Sequence, residues 1–223
     1  MALRASNFLR SSPRVTLIPL CHLHTPRNLL KLEERGLIQD IFPKEAGHDL
    51  AGHFETDRRT LYAGFDPTAD SLHVGNLLVI VPLLHALRAG HRVITLVGGA
   101  TARIGDPSGK SEERPMLLAE QVEKNVAGIR RNLETVFANH AELYGDQCKH
   151  DLRPDGKGVV FVDNYEWYRD VNILDFLGNT GRHFRMGTML GRSSVRDRLA
   201  SPEGMSFTEF TYQTFQVRRP FVI

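Results

Sequence analysis

The chain has 223 residues, 28 Lys+Arg against 26 Asp+Glu, with 41% hydrophobic and 24% charged residues. These values exclude collagen-like, low-complexity and wholly disordered chains and suit one α/β domain with an appendage. The longest apolar run, Leu77–Leu84, is cut off by His85, well short of the ~18–20 residues that span a bilayer, so no membrane partner is expected.

The net charge of +2 hides an asymmetry. Residues 1–32 hold Arg4, Arg10, Arg14, Arg27 and Lys31 and no acid. Removing these five leaves 23 basic against 26 acidic groups, about −3 for residues 33–223. Arginines and serines with interspersed leucines and no carboxylate read as a mitochondrial transit peptide, which predicts import into the mitochondrial matrix. Thr16–Leu20 is too short for the ~7–15-residue apolar core of a secretory signal. The alternative is a basic tail that touches nucleic acid or lipid.

An amphipathic helix is predicted over 28–40, followed by a His/Gly/Asp-rich loop over 45–59. Leu61–Phe65 reads as a strand, and Asp66-Pro67-Thr68-Ala69-Asp70-Ser71 as turn and N-cap chemistry. An apolar helix follows over 72–88, with Pro82 inside it and Gly90 suited to the residue after its cap. Arg92–Gly98 is a second buried strand. Strand, helix and strand in this compass make a βαβ unit and predict a parallel sheet.

Residues 116–139 place Val122, Val126, Ile129, Leu133 and Phe137 at helical spacing. A polar loop is expected over 140–158, a third strand over 159–162, and short helices over 172–177 and 193–199. Ser206-Phe207-Thr208-Glu209 has the capping-box spacing and opens a last helix.

In an open parallel sheet, ligands bind at the carboxyl ends of the strands, which selects the loops 64–76 and 98–114. Gly109-Lys110-Ser111 ends like a P-loop, but Ile104 stands where the first glycine belongs, and GxGxxG is absent. Cys21 and Cys148 can form neither a disulfide framework nor a four-cysteine zinc site, and the ten histidines show no HExxH or HxxxH pairing. No metal site is expected from them.

The two loops together carry a more specific pattern. Tyr62-Ala63-Gly64-Phe65-Asp66-Pro67-Thr68-Ala69-Asp70-Ser71-Leu72-His73-Val74-Gly75-Asn76 resembles the first signature of class I aminoacyl-tRNA synthetases, with His73-Val74-Gly75-Asn76 at the HIGH position. Residues 96–110, including Gly98-Gly99-Ala100-Thr101-Ala102-Arg103-Ile104-Gly105-Asp106-Pro107-Ser108-Gly109-Lys110, are similar to a tyrosyl-tRNA synthetase signature. Ser206-Phe207-Thr208-Glu209-Phe210-Thr211-Tyr212 resembles that family's tyrosine-binding helix.

The resemblance implies an incomplete Rossmann-like, parallel-sheet nucleotide-binding domain over residues 33–216, behind a transit peptide at 1–32. It implies tyrosine–tRNA ligase chemistry with tyrosine, ATP accompanied by Mg2+, and tRNA(Tyr) for the full-length form, and a homodimer as the family's assembly. By resemblance His73 and Asn76 face ATP, with Gly64, Asp66 and Thr68 beside the adenylate. Lys110 and Arg114 reach the pyrophosphate. Tyr62, Asp106, Tyr212 and Gln216 form the tyrosine side. Read without the resemblance, His73 is a cap or core histidine, and Lys110 and Arg114 are solvated charges.

Three departures stand out. Asn76 replaces the second histidine of HIGH, Ala63 removes a ribose-side contact, and Arg219 occupies the slot where the family carries a substrate-facing carboxylate. Residues 217–223 look unrelated to the family. The family's GSDQ-type, KMSKS-type and anticodon-binding parts are not found in these 223 residues. The expectation is that this chain alone does not aminoacylate. The alternative function is a non-catalytic nucleotide-binding or dimer-forming α/β module.

Overall fold

The computed structural model of the chain describes residues 27–38, 40–41, 46–106, 117–148, 152 and 158–215. Lys110, Arg114, Gln216, residues 217–223 and all of the basic segment before residue 27 lie outside them.

Three strands, β1 (Thr60–Phe65), β2 (Arg92–Val97) and β3 (Val159–Asp163), form a parallel sheet in the order β1-β2-β3. Register runs Thr60↔Arg92 to Phe65↔Val97, and Val93↔Val159 to Val97↔Asp163. The strands therefore end level with one another. Around them lie α1 (Ala46–Thr56), α2 (Leu77–Arg88), α3 (Thr101–Ile104), α4 (Ala119–Tyr144), α5 (Tyr165–Tyr168), α6 (Ile173–Asp175), α7 (Met186–Leu190), α8 (Ser193–Leu199) and α9 (Phe207–Phe215).

The predicted βαβ unit is present. One sheet face, with Phe65, Val93, Val97 and Val159, packs against Ile80, Leu83 and Leu87 of α2 and Ile129, Leu133 and Phe137 of α4. The spacing read in α4 is the spacing that is buried; Val126 packs partly. Helix α2 ends in a Schellman motif: Gly90 takes φ +88°, its N–H donates to Leu87 O, and His91 N–H donates to Ala86 O. Pro82 sits within α2 without ending it. It removes only the bond to the Leu78 carbonyl, on a residue that is 74% exposed.

Several elements differ from expectation. The helix expected over 72–88 opens only at Leu77, after a 3-10 turn at Val74–Asn76, and the one expected over 172–177 is α6 followed by a π turn over Phe176–Thr180. The segment 45–59 is not a loop: it holds α1, because Phe54 packs on the core and edge-on to His91 at 5.3 Å. That burial outweighs the weak helix propensity of its glycines and histidines. The helix expected over 28–40 is a 3-10 turn over Leu29–Arg35, ended by Gly36 at φ +71°. Helix α4 runs on to Tyr144, since His140 is buried and packs on the Tyr144 ring at 4.9 Å. The capping box before α9 is half formed. Ser206 Oγ accepts from Glu209 N–H at 3.2 Å, but the Glu209 carboxylate turns inward to Arg198.

Candidate active site

The level strand ends bring three loops to one rim. Gly98 N–H donates to Phe65 O at 2.9 Å and Asn164 N–H to Val97 O at 3.1 Å, continuing the ladder one step beyond each strand. At the centre sits Asp66. Its Oδ1 accepts from Thr101 Oγ1 at 2.8 Å and its Oδ2 from Tyr212 OH at 2.9 Å. Thr101 Oγ1 also lies 3.1 Å from Gly98 O, but the carboxylate is the stronger acceptor. One carboxylate thus ties the loop after β1, the loop after β2 and helix α9, whose contributing residues lie up to 146 positions apart.

The glycines after β2 have a structural reason. A Cβ on Gly98 would run into the Thr101 hydroxyl and the Asp66 carboxylate, and one on Gly99 into the Asp163 carboxylate. Asp163 Oδ1 accepts from Gly99 N–H at 3.1 Å and Tyr165 N–H at 2.9 Å, and Asn164 Oδ1 accepts from Ala100 N–H at 2.7 Å. Burial raises the Asp163 pKa, opposed by these two N–H bonds.

Gly64 is different. A Cβ there would meet only Leu96 Cδ2, at an ordinary 3.9 Å, and its φ is not positive. Protein packing does not require a glycine at this position. The face of β1 at Gly64 is open, and Tyr62 stands two residues earlier on the same face, half exposed. The Tyr62 phenol is pushed up, first by burial and then by the charge of Asp66.

The Asp66–Ser71 turn is seated on α4. Thr68 N–H donates to Asp66 O at 2.9 Å, buried Asn125 donates to Pro67 O at 3.0 Å, and Leu72 N–H donates to Asn132 Oδ1 at 3.0 Å. A side chain at Gly128 of α4 would strike the Asp70 carbonyl. The 3-10 turn Val74–Asn76 follows directly on this seat. His73 N–H donates to Asn76 Oδ1 and Asn76 N–H to His73 O, both at 2.9 Å. With its Oδ1 occupied, Asn76 keeps the Nδ2 end as its donor. His73 and Thr68 are exposed, and Asp106 is half buried just past Gly105, which takes φ +92°.

Sequence reasoning missed Thr101, Asp163 and Asn164. The adjacent Asp and Asn closing an apolar strand were a usable signal for the last two; nothing local marked Thr101 as the partner of Asp66. It also missed the Arg198–Glu209 pair. Arg198 Nε donates to Glu209 Oε1 at 2.7 Å and Nη2 to Oε2 at 2.9 Å, with both side chains nearly fully buried. This bidentate pair joins α8 to α9 one helical turn before Tyr212. Arg198 Nη1 also donates to Ser201 Oγ at 2.8 Å.

Residues 55–217 match the family model described as tRNA synthetases class I (W and Y). The chain belongs to this family. Among curated members it is 52% identical over 200 residues to the mitochondrial tyrosine–tRNA ligase of Drosophila melanogaster, covering 88% of this chain and 43% of that protein. It is 50% identical over 188 residues to the mitochondrial tyrosine–tRNA ligase of Homo sapiens, covering 82% and 38%. The crystal structure of a C-terminally truncated Aspergillus nidulans mitochondrial tyrosyl-tRNA synthetase superposes with a TM-score of 0.74 at 33% identity, covering 84% of this chain and 51% of that one. The chain therefore spans about two fifths of the length of the curated class I synthetases it matches. Its three parallel strands and flanking helices are a partial Rossmann-like domain of that class.

Proposed function

We propose that this chain carries the ATP-facing and tyrosine-facing loops of a tyrosine–tRNA ligase working in the mitochondrial matrix. The observation that carries the proposal is the Asp66 junction. The three segments that resemble synthetase signatures, far apart in the chain, converge on one carboxylate at the carboxyl ends of the strands. The names of the relatives support the amino acid and a mitochondrial location.

In the proposed reaction a tyrosine carboxylate oxygen attacks the α-phosphorus of ATP, the bond to the β-phosphate oxygen breaks, and pyrophosphate leaves. A tRNA(Tyr) terminal ribose hydroxyl then attacks the tyrosyl carbonyl, and AMP leaves. The attacking carboxylate is already an anion, so the first step needs positioning and positive potential rather than a base. Gly64 leaves room for the adenylate against β1, with Asp66 and Thr68 beside it. His73 and the Nδ2 end of Asn76 donate to phosphate oxygens, and Lys110 and Arg114 neutralise the departing pyrophosphate. Tyr62, Asp106, Tyr212 and Gln216 hold tyrosine. Mg2+ arrives with the ATP phosphates. The assembly proposed is a homodimer, as the family resemblance implies.

The test is tyrosine-dependent ATP–pyrophosphate exchange and tRNA(Tyr) charging by the gene product expressed in full. Exchange with tyrosine and not with tryptophan or phenylalanine is expected. ATP binding without exchange for any amino acid would overturn the ligase reading in favour of a non-catalytic module.

A further inference from the structure

The acid-free composition of residues 1–32 draws a boundary at Leu32, but the fold draws another. Leu29 and Leu32 are each 5% exposed and belong to the same core as Leu83, Leu87 and Val93, and Asn28 is buried with them. Asn28 shapes the turn, its Oδ1 accepting from Leu30 N–H at 3.0 Å and its carbonyl from Lys31 N–H at 3.3 Å. Leu37 N–H closes the segment onto Leu32 O at 3.4 Å.

A buried histidine fixes the front end of this segment. His91, 1% exposed, lies with Nδ1 3.2 Å from Arg59 N and Nε2 2.8 Å from Arg27 O. A backbone N–H can only donate, so Nδ1 is the acceptor; Nε2 then carries the proton and donates to the Arg27 carbonyl. The ring is held edge-on by Phe54 of α1. This side chain spends both its hydrogen-bonding positions on joining residue 27 to the entrance of β1.

From this geometry we infer that Arg27–Gly36 is a built part of the folded domain, and that presequence removal stops at or before the Pro26–Arg27 bond. The inference rests on the mitochondrial reading proposed above. A cut after Leu32 would strip Asn28, Leu29 and Leu32 from the core and leave the buried Nε2–H of His91 without its acceptor, a group that is costly to leave unmet. Leucines spaced between basic residues serve an import helix and a core-facing turn equally well. Composition therefore cannot see where one ends and the other begins, whereas burial can.

Two measurements test this independently. The gene product carrying a carboxyl-terminal tag is expressed in cells, purified from mitochondria, and its amino terminus read by mass spectrometry. A terminus at residue 27 or earlier is expected; one at residue 28 or later overturns the inference. In parallel, the full chain carrying Leu29→Ala with Leu32→Ala is melted beside its parent and beside Lys31→Ala, whose ion pair with Glu55 is exposed. The double variant should melt roughly 10 °C lower, and Lys31→Ala should match the parent. Equal melting of the double variant and the parent overturns the structural role. A tagged chain with its Met1 intact and found only outside mitochondria overturns the mitochondrial reading and the processing step. The melting comparison still decides whether the segment belongs to the domain.

Discussion

On the Tyr212 side of the rim, side chains hold side chains: Thr101 and Tyr212 grip Asp66, and behind Tyr212 the buried Arg198–Glu209 pair fastens α9 to α8. On the His73 side, side chains of α4 hold backbone. The turn rests on Asn125, Asn132 and the bare Cα of Gly128, while His73, Thr68 and the face at Gly64 stand open. The difference teaches which half is prebuilt. A pocket for a small amino acid gains discrimination from partners fixed in advance. A nucleotide lying along the sheet needs clearance and a few donors. Variants on the first side should therefore show up in stability, and variants on the second in activity alone.

The largest effect is expected at the ion pair. Glu209→Ala leaves the Arg198 guanidinium buried without its carboxylate and should cost about 3–5 kcal/mol, read as a fall in melting temperature. Replacing both partners by apolar residues, Arg198→Met with Glu209→Leu, should recover most of that loss. In the gene product expressed in full, recovery of stability without recovery of tyrosine-dependent exchange would show that the pair also aims Tyr212.

His73→Ala tests the other side. His73 is exposed and its backbone makes the hydrogen bonds of the turn, so melting should shift by less than about 0.5 kcal/mol. In the gene product expressed in full, losing a preorganised donor to the transition state should lower pyrophosphate exchange by roughly 10²–10³-fold. A large loss of stability with unchanged exchange would reverse the contrast between the two sides.

Gly64→Ala is sharper still, because the two readings of that glycine differ in sign. With open space above it, an added methyl should leave stability unchanged or raise it by about 0.4–1 kcal/mol. If the space belongs to a nucleotide, ATP binding measured by calorimetry should weaken about tenfold, about 1.4 kcal/mol. Unchanged ATP affinity would remove Gly64 from the site.

Much of this was legible in the sequence, for identifiable reasons. The strands, α2 and α4 bury apolar residues in runs or at helical spacing, and Gly90 stands where a helix must stop, so a local window contains the whole cause. What stayed hidden depends on partners remote in the chain. Phe54 makes α1 helical by packing against His91, which no window around residues 46–56 contains. Glu209 was read as a local cap, but the Arg198 guanidinium eleven residues earlier offers its carboxylate two charged bonds. Thr101 and Asp66 meet only because β1 and β2 end level. In the candidate site the signatures marked which loops matter, and the hydrogen bonds between those loops came only from the fold.

The smallest effect comes from a group on neither side, and it sets the conditions for reading the others. His140, near the carboxyl end of α4, is buried, and its Nε2 has no hydrogen-bond partner among the described residues. Burial comes first, then the nearby charges of Arg88 and His85, and together they lower its pKa to about 4. Tyr144, under the Arg88 guanidinium, closes the cluster. In the unfolded chain the same histidine titrates near 6.5. Between these values the unfolded state binds a proton that the native state refuses, so stability falls as pH drops below about 6.5 and this loss levels off near 4. Carboxylates dominate at the acid end, which leaves about pH 7 to about 5.5 as the useful window. Over it the loss should be up to about 1 kcal/mol after discounting for solvent screening. His140→Leu removes the proton site, so its melting temperature should change less over that window than the parent's. Parallel curves for the two proteins would mean that a group other than His140 sets the acid sensitivity.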